Sequence, residues 1–249
     1  MKLIVSGAKW LLAIACGMGV SAAHAQGGGF YITPTRLDFD ARARTGVLTL
    51  ANDGKSSLNF QVRLVRWSQD SEGKDVTEDN ADLIYFPRVT TVEPESKRIL
   101  RVGLRGSGVD AEEKTYRLIV EEIPPATDSA VPRLEIQMRF QFSVPLFVAP
   151  ANPRPAADLE HVSVSQGSLK FRVHNVGNQT LLVSRFQAMD GDKVLQEGSG
   201  WYLMPGVARE YALQIPGEVC QKVGATELEV ITDKLVLKRK VEVAPAACK

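Results

Sequence analysis

Histidine and cysteine are scarce, at three residues each among 249. His24, His161 and His174 stand apart, and none is in metal-ligand spacing with a cysteine or a carboxylate cluster. His161 and His174 read as ordinary surface or strand-end residues. Cys16, Cys220 and Cys248 form no CxxC pair, which removes the zinc-ribbon and thiol-redox classes. A GxSxG turn and a glycine-rich phosphate loop are both missing, and with them the common hydrolase and nucleotide signatures. The chain also lacks a surplus of either charge: 30 lysines and arginines face 29 aspartates and glutamates. That balance leaves no electrostatic footprint for nucleic acid or an acidic membrane surface. The pairs Glu112–Glu113 and Glu121–Glu122 are accounted for as solvated strand ends. Nothing here calls for a cofactor, a metal or catalysis.

Long apolar runs are absent as well. The longest, `WLLAIACGMGV` (Trp10–Val20), is too short to span a bilayer. It follows Lys2 and Lys9 and precedes `AHA` (Ala23–Ala25), the pattern of an export signal cleaved after Ala25. A lipoprotein would need acylation at Cys16, but Ala13 stands where such signals prefer leucine. Removing 25 of the 249 residues leaves 224, enough for two domains of about 100 residues each. The segment takes two lysines and no acid with it, so 28 basic residues then face 29 acidic ones. It also takes Cys16. Cys220 and Cys248 remain, an even pair that reads as one disulfide in an oxidising compartment. `QGGGF` (Gln26–Phe30) reads as a flexible mature N-terminus.

What is present is strand. `GVLTLAN`, `LNFQVRLVRW`, `RILRVGL` and `TYRLIVEEI` alternate apolar and polar residues, separated by turn chemistry in `DGK`, `DSEGKD` and `EPESK`. The one short helix candidate is `GEVCQKVG`. Three prolines within six residues of `VAPANPRPAAD` (Val148–Asp158) stop strand pairing and stiffen the chain. Beyond them strands resume in `LKFRVHN`, `TLLVSRFQAM`, `AREYALQI`, `TELEVIT` and `LVLKRKVEV`. The expected fold is all-β: two β-sandwiches joined by a proline-rich elbow. The expected units are a signal at 1–25, an N-terminal sandwich at 26–150 and a C-terminal sandwich at 151–249.

`RLEIQMRFQFSV` (Arg133–Val144) alternates without a break. Leu134, Ile136, Met138, Phe140, Phe142 and Val144 share one face, and polar residues fill the other. Such a row must be covered by the protein's own core or by a partner. The loose loop `PPATDSAVP` (Pro124–Pro132) before it suits a strand at a sheet edge.

Several motifs together resemble one known family. `TPTRLDF`, `LTLAN`, `VRLVRW`, `FPRVTTVEPESKRILRV`, `YRLIVEEIPP` and `SVPLFVAP` occur in the order and spacing of the PapD-like periplasmic chaperones, which assemble pili through the chaperone–usher pathway. `SVPLFVAP` and `GWYLMPG` (Gly200–Gly206) resemble the archaic branch. The resemblance spans the mature chain and implies two immunoglobulin-like sandwiches set in an L. It implies pilin subunits and an outer-membrane usher as partners, in the periplasm. A pilin lacks its last strand, and the chaperone lends an edge strand to fill the groove. The lent strand is similar to Arg133–Val144, so that Leu134, Ile136, Met138 and Phe140 enter successive pockets and Phe142 completes the row. Self-association of the free protein is a second way to cover it.

The resemblance also implies an anchor for the subunit's C-terminal carboxylate, made by an arginine near the N-terminus and a lysine on the lent strand. The arginine matches Arg36. The lysine position holds Pro145, so Arg117 on the neighbouring strand is the substitute, with Arg139 and Arg101 behind it; a surface strand cation is the other reading of Arg117. Relatives brace the elbow with an acid that matches Glu113 and an arginine whose position here holds Ala149. The rival function is an exported immunoglobulin-like adhesin or structural pilus protein.

Overall fold

The computed structural model describes residues 29–79, 82–106, 110–124 and 139–248. In the first half the strands are β1 (Phe30–Thr33), β2 (Leu37–Phe39), β3 (Thr45–Asn52), β4 (Leu58–Gln69), β5 (Asp75–Asp79), β6 (Leu83–Phe86), β7 (Val89–Val92), β8 (Ser96–Leu104), β9 (Lys114–Ile123) and β10 (Gln141–Val148). One sheet runs β1-β3-β8-β6 and the other β2-β10-β9-β4-β5, with β7 also on β4. Leu48, Leu50, Phe60, Leu100, Leu118 and Leu146 fill the space between them.

The second half holds β11 (Ala157–Ser165), β12 (Ser168–Asn175), β13 (Leu181–Asp190), β14 (Lys193–Gly198), β15 (Tyr202–Leu203), β16 (Ala208–Gln214), helix α1 (Gly217–Cys220), β17 (Ala225–Thr232) and β18 (Val236–Glu242). Sheet β11-β12-β16 packs against β14-β13-β17-β18, with β15 on β13, around Leu169, Phe171, Phe186, Leu213 and Leu228. A disulfide joins Cys220 to Cys248, tying α1 to the closing 3-10 turn. The chain is all-β, two immunoglobulin-like sandwiches with the proline-rich stretch crossing between them. No helix among the described residues is long and apolar enough to cross a membrane.

The expected strands that lie within the described residues are present, save that Arg133–Val144 is described only from Arg139 and there forms strand only from Gln141. Two further expectations need correction. Phe30 is not part of a flexible lead-in: it opens β1, and its ring stacks on Phe60 with centroids 4.4 Å apart. The strand expected to end at Val144 runs on to Val148, through Pro145. Proline is tolerated on an edge strand, where its missing N–H leaves no ladder bond unmade.

The sheet's parity places the site. On β4, Phe60, Val62 and Leu64 point into the first core, and outward-facing Trp67 should be wet. Trp67 is 1% exposed nonetheless, because it belongs to the second sandwich's core. Phe147 does the same from β10, between inward-facing Leu146 and Val148. The second sandwich is seated on the outer face of this sheet.

Candidate functional site

Four residues lie abreast on that outer face. Asp38 on β2 is in register with Phe147, and Phe147 with Thr115. The Thr115 hydroxyl donates to the Trp67 carbonyl. Against this row the second sandwich sets Tyr202, its ring centroid 5.2 Å from Trp67 and 5.6 Å from Phe147. Trp201 packs edge-on to Tyr202 at 5.5 Å and stays 41% exposed. The result is an aromatic floor shared by the two sandwiches.

The two cations expected to anchor a carboxylate both lie on this floor. The Arg36 guanidinium sits 4.2 Å above the Phe147 centroid, and that of Arg117 sits 3.7 Å above Trp67. A planar guanidinium stacks on a ring face and keeps its edge donors for hydrogen bonding. Arg36 Nε is 2.9 and 3.0 Å from the two Asp38 carboxylate oxygens, and Nη1 is 3.3 Å from Asp233 Oδ2 across the interface. Arg117 Nη1 donates to Ser143 Oγ on β10 at 3.1 Å, and Nη2 lies 3.4 Å from Asp75 Oδ2. Burial by itself would lower the Arg36 pKa, but the bonds to Asp38 and the charge of Asp233 reverse this and raise it. At Arg117 burial wins and the pKa is lowered, with Asp75 opposing. Burial raises the pKa of Tyr202, while the charges of both Arg36 and Arg117 pull it down. Its phenol thus feels both cations.

Above Arg117 the sheet has an open edge. Arg117 is directly opposite Pro145 in the β9–β10 ladder. On its other side β10 is paired to β2 only over Leu146–Val148, so among the described residues Gln141–Pro145 has a partner on one side alone. Phe142 is half-buried, 5.2 Å from the Phe30 ring, and Phe140 is 43% exposed. Leu134, Ile136 and Met138 lie outside the described residues. Arg139 is exposed beside Phe140. Arg101 belongs to the opposite sheet, where it lines an apolar groove of about 500 Å³ with Val47, Ile84 and Phe86, and it has no part in the cleft.

The elbow is braced without the arginine that Ala149 replaces. Glu113 is half-buried rather than solvated: its Oε2 accepts the Thr180 N–H at 2.7 Å, and its own N–H donates to the Asn178 carbonyl at 3.0 Å. Burial raises its pKa against those amide contacts and the charges of Lys234 and Arg36. Asn178 Nδ2 donates to the carbonyls of Ala111 and Asn152, both at 2.9 Å. Across the interface Gln69 bonds the backbone of Tyr202 at 2.9 Å and of Met204 at 3.0 Å. Asp75 Oδ1 takes a further hydrogen from Gln69 Nε2 at 3.0 Å, and its Oδ2 accepts from Trp201 Nε1 at 3.2 Å.

The sequence alone does not single out Asp38, Gln69, Asp75, Asp233, Tyr202 or Trp201. The aromatic pair in `GWYLMPG` was a signal for the last two. Asp75 gave none, being one carboxylate in an acidic turn.

Comparison with known proteins agrees with this fold. The family model described as pili and flagellar-assembly chaperone, PapD N-terminal domain, matches residues 29–154. No curated protein matches the chain by sequence. Among solved structures the chain is similar to one from a pre-assembly complex of the CsuC chaperone and the CsuE tip adhesion subunit, from archaic chaperone–usher Csu pili of Acinetobacter baumannii. There the identity is 21% and the TM-score 0.61, over 86% of this chain and 97% of that one. It is also similar to the CupB2 chaperone of Pseudomonas aeruginosa, at 17% identity and TM-score 0.55, over 86% of this chain and all of that one. A third likeness is to a Salmonella enterica complex of the SafA pilin with the SafB chaperone, at 16% identity and TM-score 0.56, over 86% and 96%. These identities speak for the fold; the family rests on the model, which takes in half of the residues, and the chain belongs to the pili and flagellar-assembly chaperones.

Proposed function

We propose that the protein is a periplasmic chaperone that captures pilin subunits by lending them an edge strand and passes them to an outer-membrane usher. The observation that carries this reading is that, among the described residues, β10 is paired on one side alone at Gln141–Pro145, directly beside Arg117. Unpaired backbone groups on a sheet edge template an added strand, independent of the partner's side chains. Leu134, Ile136, Met138, Phe140 and Phe142 supply the pocket-filling row. Each large apolar side chain fully buried contributes roughly 1.5–3 kcal/mol, so the row offers a gross gain near ~10 kcal/mol before ordering costs. The subunit's terminal carboxylate meets Arg36 and Arg117 at the foot of the strand and fixes its register. Residues 1–25 direct export, 26–150 form the strand-lending sandwich and 151–249 the second wall of the cleft. The CsuC–CsuE and SafA–SafB complexes, in which related folds hold pilus subunits, support the class of partner.

The test is co-expression in a periplasm with a pilin encoded beside this gene. Wild type is compared with Ile136→Asp/Phe140→Asp and with Arg36→Ala, each shown to be folded. Soluble pilin with wild type alone is the expected result. A folded strand variant that still protects the pilin overturns strand donation.

A further inference from the structure

Both anchoring cations already have resident anions. Arg36 is chelated by Asp38 at 2.8–3.0 Å and faces Asp233 as well. Arg117 faces Asp75 at the longer distance of 3.4 Å, the looser of the two pairings. Asp75 is itself held from two further directions, by Gln69 Nε2 and by Trp201 Nε1 from the second sandwich. It is the first residue of β5 and lies opposite Gln69 in the ladder, so its place does not depend on Arg117. Arg117 is 13% exposed in its side chain and pinned to Trp67, so it cannot swing away from Asp75 to meet a ligand.

We propose that Asp75 is a specificity-determining residue of the cleft, an internal competitor that occupies the Arg117 subsite until a ligand carboxylate displaces it. The proposal rests on the anchoring role given above to Arg36 and Arg117. A guanidinium has five donors, and Asp75 and Ser143 engage two of the Arg117 nitrogens over one edge. An incoming carboxylate takes the Arg117 donors from Asp75, which remains bonded to Gln69 and Trp201. Its negative charge then stays close to the ligand and opposes binding in a partly desolvated setting. Asp75 therefore raises the threshold for every anionic terminus. A neutral terminus carries no charge for Asp75 to oppose, so its binding does not depend on the charge of that residue.

The test uses the exported protein and two synthetic peptides, identical alternating Val/Thr strands ending in a free carboxylate or a carboxamide, titrated by calorimetry. Wild type is expected to prefer the carboxylate. Asp75→Asn keeps the shape and the acceptor for Trp201 and removes the charge; it is expected to bind the carboxylate peptide three- to tenfold more tightly, with the carboxamide peptide unchanged. In an Arg117→Ala background the same substitution should gain nothing. Unchanged or weaker carboxylate binding by folded D75N overturns the proposal, as does equal tightening for both peptides. If wild type does not distinguish the peptides, the anchoring role itself is wrong and the proposal falls with it. Asp75→Ser is the second variant; failure of both to fold assigns Asp75 to the interface alone and overturns the proposal as well.

Discussion

The Arg117 guanidinium lies over the Trp67 ring with its central carbon 3.7 Å from the ring centroid. Trp67 is at the same time part of the second sandwich's core. One stacked pair therefore connects the proposed ligand cation to the packing that holds the cleft together. Lysine at this place keeps the charge and loses the planar stack and the fork of donors. A desolvated cation–π contact contributes up to about 2 kcal/mol. Arg117→Lys is therefore expected to lower stability by about 1–2 kcal/mol through the lost stack and, in protein that stays folded, to weaken pilin capture about tenfold through the lost fork of donors. Equal affinity of the two proteins in a binding titration would show that charge alone does the anchoring.

Glu113 predicts a pH dependence. Burial raises its pKa in the folded protein, so between the unfolded and folded values the folded state binds the extra proton. Stability then falls as pH rises from the unfolded carboxyl value of about 4.3 through the folded one, and stays lower above it. Glu113→Gln keeps an acceptor for the Thr180 amide and removes the titration. Thermal melts of the two proteins near pH 4 and near pH 7 should differ: relative to wild type, the variant gains on going to the higher pH. A constant difference across that range would place the Glu113 carboxylate in water.

Local pattern reveals one part of this molecule and hides another. The long strands are readable because each carries at least three alternations; β2 and β15, at three and two residues, are too short to show a period. β5 is exposed throughout and holds a single large apolar residue, Val76, so its sequence carries no alternation. The same alternation put Trp67 and Phe147 on a face that should be wet, and only the second sandwich explains why they are not. Arg36 is legible through family resemblance, and Arg117 through its place in the neighbouring strand `TYRLIV`, on the face of Thr115 and Ile119. Asp75 and Trp201 meet across 126 residues of chain, and no spacing rule reaches that far.

The disulfide should matter for the second sandwich. Cys220 is buried against its core, and the bridge closes a separation of 28 residues. It joins a four-residue helix to a four-residue 3-10 turn, neither long enough to hold its place by its own hydrogen bonds. Cys220→Ala/Cys248→Ala is expected to cost about 3–4 kcal/mol in urea unfolding, on the chain-entropy account of loop closure. A loss below about 1 kcal/mol would mean that the packing of Val219 and Val223 already fixes this end of the chain.

Phe140 and Phe142 stand two residues apart on the same face of the apolar row, and they divide its work. Phe142 is half-buried edge-on to Phe30, within reach of the first core, whereas Phe140 stands 43% exposed. Truncating the inner ring removes packing the protein needs for itself, so Phe142→Ala should lower stability by about 2 kcal/mol, less than a fully buried phenylalanine loses. Replacing the outer ring touches little in the free protein, and Phe140→Asp should leave stability within about 0.5 kcal/mol. In capture the order reverses. Phe140→Asp would set a carboxylate in an apolar groove of the subunit, with no partner to offset its desolvation, and is expected to reduce binding at least tenfold. Phe142→Ala removes only the last ring of the row and introduces no charge, so folded protein should lose less binding than with Phe140→Asp. Urea midpoints and pilin affinities measured on both variants separate the two roles. If Phe140→Asp unfolds the free protein instead, the row belongs to this chain's own core, and the strand is not lent.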